Sequence, residues 1–330
     1  MDSAAMLRTF GPGCEGQAVD SDHELIPARA SWIDLESPTR SEEQLVERCI
    51  GVDVPTREDL EEIEPSSRLF ERGGTIHMTV SALTGVTEGE PTTEPIAFVL
   101  TAKHLVTLRY SSPKAIRAFI QAAHHDRSLV RDPMTALVKL VDALIDRVAD
   151  ELEELGDEIE LISRQIFDKR LEARRIPADK LTALLTSIGL AQTLLAKIRY
   201  SAVSMRRMLN FLGGSTRMQG ARQGKNREHL ASLTTDIVSL SEHANFQADH
   251  LIFLLDACLG LISVEQNAAM KLFSWAAVVF LPPTLIAGIY GMNFDYFPEL
   301  KWHYGYFVAL LLMLASAVLP YLYFRWRRWI

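Results

Sequence analysis

A chain of 330 residues, 48% hydrophobic and 23% charged, is long enough for more than one folded body, and its formal net charge of −8 argues against a nucleic-acid partner. Its three cysteines, Cys14, Cys49 and Cys258, are widely separated and form no Cys-x-x-Cys pair, which argues against a disulfide scaffold or zinc ribbon and fits a reducing compartment. Residues 1–25 are polar, without the basic and then apolar regions of a secretory signal, and are expected to be loose.

Residues 1–132 read as a mixed α+β domain. Residues 75–83, 96–100 and 104–110 are rich in branched and aromatic side chains and are separated by turn signals such as Arg72-Gly73-Gly74, so they read as strands. Short helices are expected at 41–49, with Ser41 as the cap, at 56–63 and at 113–123. His124, His125 and Asp126 lack the ligand spacing of a zinc site and are read as solvated.

From Pro133 the pattern is helical, and residues 133–225 read as a pair of cytoplasmic helices. Leu137, Leu140, Val141, Leu144, Ile145, Val148, Leu152, Leu155, Ile159 and Ile162 recur at steps of three and four. A second helix opens at Pro177 and stops near Gly213-Gly214. Between Asp142 and Glu160 nine acids (Asp142, Asp146, Asp150, Glu151, Glu153, Glu154, Asp157, Glu158, Glu160) face one base, Arg147. They read either as the solvated face opposite the leucine stripe or as a surface that concentrates cations. The Gly-rich stretch 213–226 lacks the spacing of a phosphate loop and has Asn226 where Ser or Thr would bind magnesium, so it reads as a turn, with no ATP site.

A third helix starts after Lys225, forms a stalk over 226–269 and runs without a breaker into an apolar segment. Continuous from about 226 to 290, it would be roughly 100 Å long and would need partners along its length. Residues 272–294 and 304–324 contain no charged side chain, and each is long enough to cross the roughly 30 Å hydrocarbon core of a bilayer. They are read as two transmembrane helices, the first assigned to 270–293 and the second to 304–324, joined by an outer loop at 294–303. Lys271 immediately precedes the uncharged stretch of the first, and a basic tail at 325–330 with Arg325, Arg327 and Arg328 follows the second. By the positive-inside rule both termini face the cytoplasm of a multi-pass inner (plasma) membrane protein.

Tyr290-Gly291-Met292-Asn293-Phe294, with Pro298-Glu299-Leu300-Lys301-Trp302 after it, resembles the signature and outer loop of the CorA family of divalent cation (magnesium) transport proteins. The resemblance extends through Met270-Lys271, Phe280-Leu281-Pro282-Pro283-Thr284, Ala287 and Pro320-Tyr321-Leu322-Tyr323-Phe324, and more weakly to the order of parts along the whole chain. It implies a homopentamer whose first span lines a channel and whose second faces lipid.

The chemistry of the signature can be read from its residues. Magnesium demands octahedral oxygen ligands and dehydrates reluctantly, so a ring of Asn293 carbonyl oxygens can select it by accepting hydrogen bonds from its water shell. Gly291 would admit close backbone approach, and Asp295 and Glu299 would concentrate cations at the mouth. A helix C-cap describes the same backbone. Tyr290, Gly291, Met292 and Asn293 are therefore the candidate selectivity filter.

Carried over from the family by position, Asn267, Met270, Phe273, Leu281, Thr284 and Gly288 are the expected pore-lining residues, with Met270, Phe273 and Leu281 as a hydrophobic constriction. The resemblance also implies regulation by intracellular magnesium bound near Glu58 and Asp59 and, on the stalk, Asp256. Asp59 also reads as a helix-start acid and Asp256 as a plain stalk acid.

These readings converge on a potential-driven magnesium channel that also passes cobalt and nickel, with no enzymatic activity, no bound cofactor, and lipid and further copies of itself as partners. A zinc transporter of the ZntB branch with the same architecture is the alternative, and a non-conducting membrane-anchored scaffold is the alternative from another class.

Overall fold

Seven strands are found among the described residues: β1 (Met6–Gly11), β2 (Cys14–Ala18), β3 (Trp32–Glu36), β4 (Leu69–Arg72), β5 (Thr75–Thr84), β6 (Thr92–Leu100) and β7 (Leu105–Arg109). The computed structural model describes residues 6–19, 25–62, 64, 68–167, 177–215, 224–292 and 302–327. The strands form one sheet in the order β2-β1-β3-β7-β6-β5-β4, with β3 and β7 parallel and every other neighbouring pair antiparallel. Contrary to the expected loose N-terminus, β1 pairs along its length with β3, Met6 opposite Glu36 and Phe10 opposite Trp32.

The helices are α1 (Arg40–Ile50), α2 (Arg57–Glu61), α3 (Lys114–His125), α4 (Pro133–Phe167), α5 (Ala178–Gly214), α6 (Gly224–Tyr290) and α7 (Gly305–Trp326), with a short 3-10 turn at Arg127–Val130. The cap of α1 is Thr39, not Ser41: Thr39 and Glu42 form a reciprocal capping box, each side chain bonded to the other's backbone N–H. Pro133 does open α4, and Asp132 caps it by accepting from the Thr135 backbone N–H at 2.9 Å.

The chain divides into two units, Met1–Lys169 with Thr182–Leu255, and Arg170–Leu181 with Asp256–Ile330. In the first unit, side-chain alternation along β3 sends Ile33 and Leu35 to one face of the sheet and Trp32, Asp34 and Glu36 to the other. Ile33 and Leu35, with Val106 and Leu108 of β7, belong to one core with Leu45 and Val46 of α1 and Leu60 of α2. On the opposite face Trp32 stacks on Phe10 at 4.5 Å, meets Phe119 of α3 edge-on at 5.3 Å, and donates its indole N–H to Thr107 Oγ1 at 3.0 Å. Beside it Asp34, Glu36 and Arg109 form a buried ion network. His124 packs edge-on against Phe10, and His125 Nδ1 lies 2.8 Å from the Gln121 carbonyl oxygen, so both imidazoles are engaged locally.

All ten residues of the leucine stripe expected on α4 are buried. Helix α5 is anchored to the sheet where Ser201 Oγ donates to the Ser81 carbonyl at 2.7 Å and Ser204 Oγ accepts from the Ser81 N–H at 3.0 Å. Helix α6 is held on α4 by Gln247, whose amide donates to the Leu152 carbonyl at 3.1 Å. Most of the α4 acids are exposed, as a solvated face requires. Glu151 departs from that face, being buried and ion-paired with Arg147.

In the second unit, α6 continues through Pro282 and Pro283 to Tyr290, and α7 contains Pro320. By length and composition three helices could cross a membrane: α5 from Asp179, α6 and α7. They differ in where their apolar side chains go. In α5 a third of the most apolar stretch is buried, including Ile188, Leu195 and Ile198, whereas none of that of α6 and 6% of that of α7 is. Phe273, Leu281, Phe307 and Leu311 are each about 70% exposed, an apolar surface too large for a protein facing water on all sides.

Candidate functional site

Helix α6 ends inside the signature. The Gly291 N–H closes the last α-helical turn on the Ala287 carbonyl at 2.9 Å, and the Met292 N–H tightens onto Ile289 at 3.2 Å. A Cβ on Gly291 would lie 3.1 Å from that Ala287 oxygen, so the close approach allowed by this glycine is made by the helix's own carbonyl. Met292 is half exposed. Asn293, Asp295 and Glu299 lie outside the described residues.

Below the signature, the six expected pore residues share one face. At about 100° per residue, Asn267, Met270, Phe273, Leu281, Thr284 and Gly288 fall within an arc of roughly 120°. All six are exposed. The Thr284 hydroxyl donates its proton to the Phe280 carbonyl at 2.6 Å, which leaves the oxygen lone pairs as the outward-facing part. An acceptor of that kind suits the water shell of a cation and does not suit an anion. Leu281, Thr284, Leu285, Gly288, Ile289 and Met292 line a shallow depression on this part of the helix.

Of the candidate regulatory residues, Asp59 is committed to a local task. Its carboxylate accepts from the Thr56 backbone N–H and hydroxyl, both at 2.8 Å, while Thr56 Oγ1 accepts from the Asp59 N–H at 3.3 Å. This capping box starts α2 and explains the residue type without a metal. Asp59 also borders a cavity of about 450 Å³ with Asp53, Glu62, Arg72 and His77 in its wall. His77 stacks on Phe70 at 4.6 Å, and burial holds its imidazole below the usual pKa, with Asp53 pulling upward and Arg72 pushing further down. Glu58 is exposed on α2 and Asp256 is exposed on α6. Among the described residues no three His, Cys, Asp or Glu side chains gather to hold a metal ion.

Residues beyond the sequence-based candidates also line cavities. Asp53 and Glu62, from the loops on either side of α2, and His77 of β5 line the first cavity, and no local pattern in the sequence joins them. In the second unit a cavity of about 650 Å³ runs between α6 and α7, with Asn267, Met270, Lys271, Ser274, Trp275, Val278 and Phe324 in its wall.

The family described as CorA-like Mg2+ transporter protein matches residues 27–328. The chain is 33% identical over 312 residues to the magnesium transport protein CorA of Escherichia coli strain K12, a match that covers 94% of this chain and 95% of that one. Among solved structures it aligns with the complete CorA magnesium transporter of Methanocaldococcus jannaschii at a TM-score of 0.77 and 20% identity, over 98% of each chain. A ZntB cytoplasmic domain from Vibrio parahaemolyticus aligns at a TM-score of 0.54 and 12% identity, over 80% of this chain and 98% of that one. At those identities the two structures speak to the fold alone. Because the family match spans nearly the whole chain and coincides with the Gly291-Met292-Asn293 signature at the end of α6, this chain belongs to the CorA family.

Proposed function

We propose that this chain is a magnesium channel of the inner membrane, assembled as a homopentamer and driven by the membrane potential without ATP, with cobalt and nickel as further permeant ions. The observation that carries this reading is the identity, across nearly the full length of both chains, with the Escherichia coli magnesium transport protein. Two spans, α6 from about residue 270 and α7, suit the exposure of their apolar side chains. Helix α5 uses its apolar stripe for packing and stays outside the bilayer. Both termini face the cytoplasm, and residues 294–303 form the outer loop.

In this reading Asn293 carbonyl oxygens from five copies ring the entrance and accept hydrogen bonds from a hydrated ion. Tyr290, Gly291 and Met292 shape that ring, and Asp295 with Glu299 raise the local cation concentration. The Thr284 oxygen, already turned outward as an acceptor, offers a second resting place. Met270, Phe273 and Leu281 close the pore by dewetting when they are drawn together. The driving force is about 2.3 kcal/mol per elementary charge per 100 mV, and so about twice that for a divalent ion. Intracellular magnesium near Asp256, with Glu58 and Asp59 as the opposing acids, relieves carboxylate repulsion and favours the closed state.

The zinc-transporter alternative has a weaker basis, a structural likeness at 12% identity over the cytoplasmic part. Flux of magnesium, cobalt and zinc into proteoliposomes, with and without a pH gradient, separates the two. Magnesium uptake that follows the membrane potential is expected. Proton-dependent zinc uptake without magnesium flux would overturn the proposal.

A further inference from the structure

Within the second unit, α6 and α7 meet where Trp275 packs edge-on against Phe324, with ring centroids 5.1 Å apart. The cavity of about 650 Å³ beside these rings is amphiphilic along its length. Asn267 and Lys271 supply polar groups toward the stalk, with Met270 between them and Ser274 one turn on, while Val278, Trp275 and Phe324 supply an apolar wall. Its lining contains three donor-bearing side chains, Asn267, Ser274 and Trp275, beside one cation and no carboxylate. Arg325 and Arg327 follow Phe324 directly, and the Arg327 guanidinium lies 6.0 Å over the Tyr323 ring.

The sequence restricts what can neutralise Lys271. From residue 266 to residue 292 and from 302 to 327 there is no Asp or Glu, so the spans carry no carboxylate, and on α6 the nearest in sequence is Glu265, about 9 Å from Lys271 toward the stalk. A second copy laid into the groove would leave the ammonium without a counter-charge. A lipid phosphate provides one, and its acyl chains match the apolar wall. Basic pockets between spanning helices on the cytoplasmic side are suited to anionic head groups in this way.

We propose that this groove binds one anionic phospholipid per chain, its phosphate held by Lys271 and its acyl region lying along Trp275, Val278 and Phe324. The proposal rests on the reading of α6 and α7 as membrane spans. It makes the lipid composition of the cytoplasmic leaflet a ligand of the helix that lines the pore, at the level where that helix enters the bilayer.

The test is native mass spectrometry of the full chain in detergent, titrated with phosphatidylglycerol, phosphatidylcholine or inorganic phosphate. Phosphatidylglycerol is expected to remain bound in preference to phosphatidylcholine. One lysine at the membrane surface contributes about 1 kcal/mol, so Lys271→Gln should weaken that binding about fivefold, and Lys271→Arg should retain it. Equal retention of the two lipids, indifference to Lys271→Gln, displacement by millimolar inorganic phosphate, or a groove with no lipid adduct because a neighbouring copy fills it would each overturn the proposal. Carbonate extraction of membranes tells this failure from that of the span reading: a chain released by carbonate defeats both, whereas an embedded chain indifferent to the anionic lipid defeats this proposal alone.

Discussion

Arg109 donates from Nη2 to Asp34 Oδ2 at 2.9 Å, across the parallel pairing of β3 and β7, with both side chains fully buried. The same nitrogen donates to Glu36 at 2.8 Å, and Thr107 Oγ1 gives Asp34 a further hydrogen bond at 2.7 Å. Burial by itself would lower the guanidinium pKa, and attraction and hydrogen bonds from Asp34 and then Glu36 outweigh it, so the net shift is upward. Removing one partner leaves a buried charge unpaired. Asp34→Ala is therefore expected to cost about 3–5 kcal/mol, and the triple change Asp34→Leu, Glu36→Leu and Arg109→Met, which removes every member of the network, far less. Thermal melting of the three proteins checks this; equal losses in the single and triple variants would mean that the network is not what holds the strands.

The capping box separates the two roles open to Asp59. Thr56→Ala should cost about 1 kcal/mol through the lost cap and leave magnesium-dependent protease protection intact. Asp256→Lys should keep the chain protease-resistant when magnesium is withdrawn, because a fixed cation replaces the bound one. Unchanged magnesium dependence in Asp256→Lys would remove that residue from the sensor.

Asp146 supplies a pH dependence of known sign. Burial raises its pKa, and repulsion from Asp142 and Asp150 adds to the rise. The native state then binds more protons than the unfolded state between the ordinary value of 3.8 and the raised one, so stability falls as pH climbs through that window. The penalty is fully present above the raised pKa and absent below 3.8. In magnesium-free buffer Asp146→Asn should raise the melting temperature at pH 7 by a fraction of a kcal/mol's worth, since the carboxylate is largely in water, and the gain should vanish below pH 3.8. A gain that persists in acid would point to helix propensity instead.

Asn293→Ala should abolish magnesium flux into proteoliposomes while the oligomer survives gel filtration. Undiminished flux would remove Asn293 from the filter.

What could be read from sequence follows the range of the interactions involved. The α4 stripe is a local periodicity, and every residue of it is buried as expected. Strand β3 escaped notice because Asp34 and Glu36 make it look half-solvated; the arginine that justifies their burial is 73 to 75 residues away. Strand β1, broken up by turn residues on either side, is secured by a pairing with β3 that no local pattern reveals. For Thr39 the signal was present in Thr39-x-x-Glu42, but the serine two residues later drew the assignment to itself. The expected pore residues come from family resemblance, and that they share one face follows from their spacing on a single helix. The cavity beside His77 and the groove beside Lys271 could not be read from a spacing, since each is assembled from more than one element.

Pro282 and Pro283 bring no N–H to α6, so the carbonyls of Val278 and Val279, one turn earlier, have no backbone donor above them. The Thr284 hydroxyl, bonded to Phe280, strengthens the next carbonyl and does not relieve these two. Two consecutive rungs of the helical ladder are thereby missing between Phe273 and the signature at Tyr290. The last turns of α6 are joined to the stalk by covalent chain and packing more than by hydrogen bonds, and they form a compliant joint where a rod would otherwise be stiff.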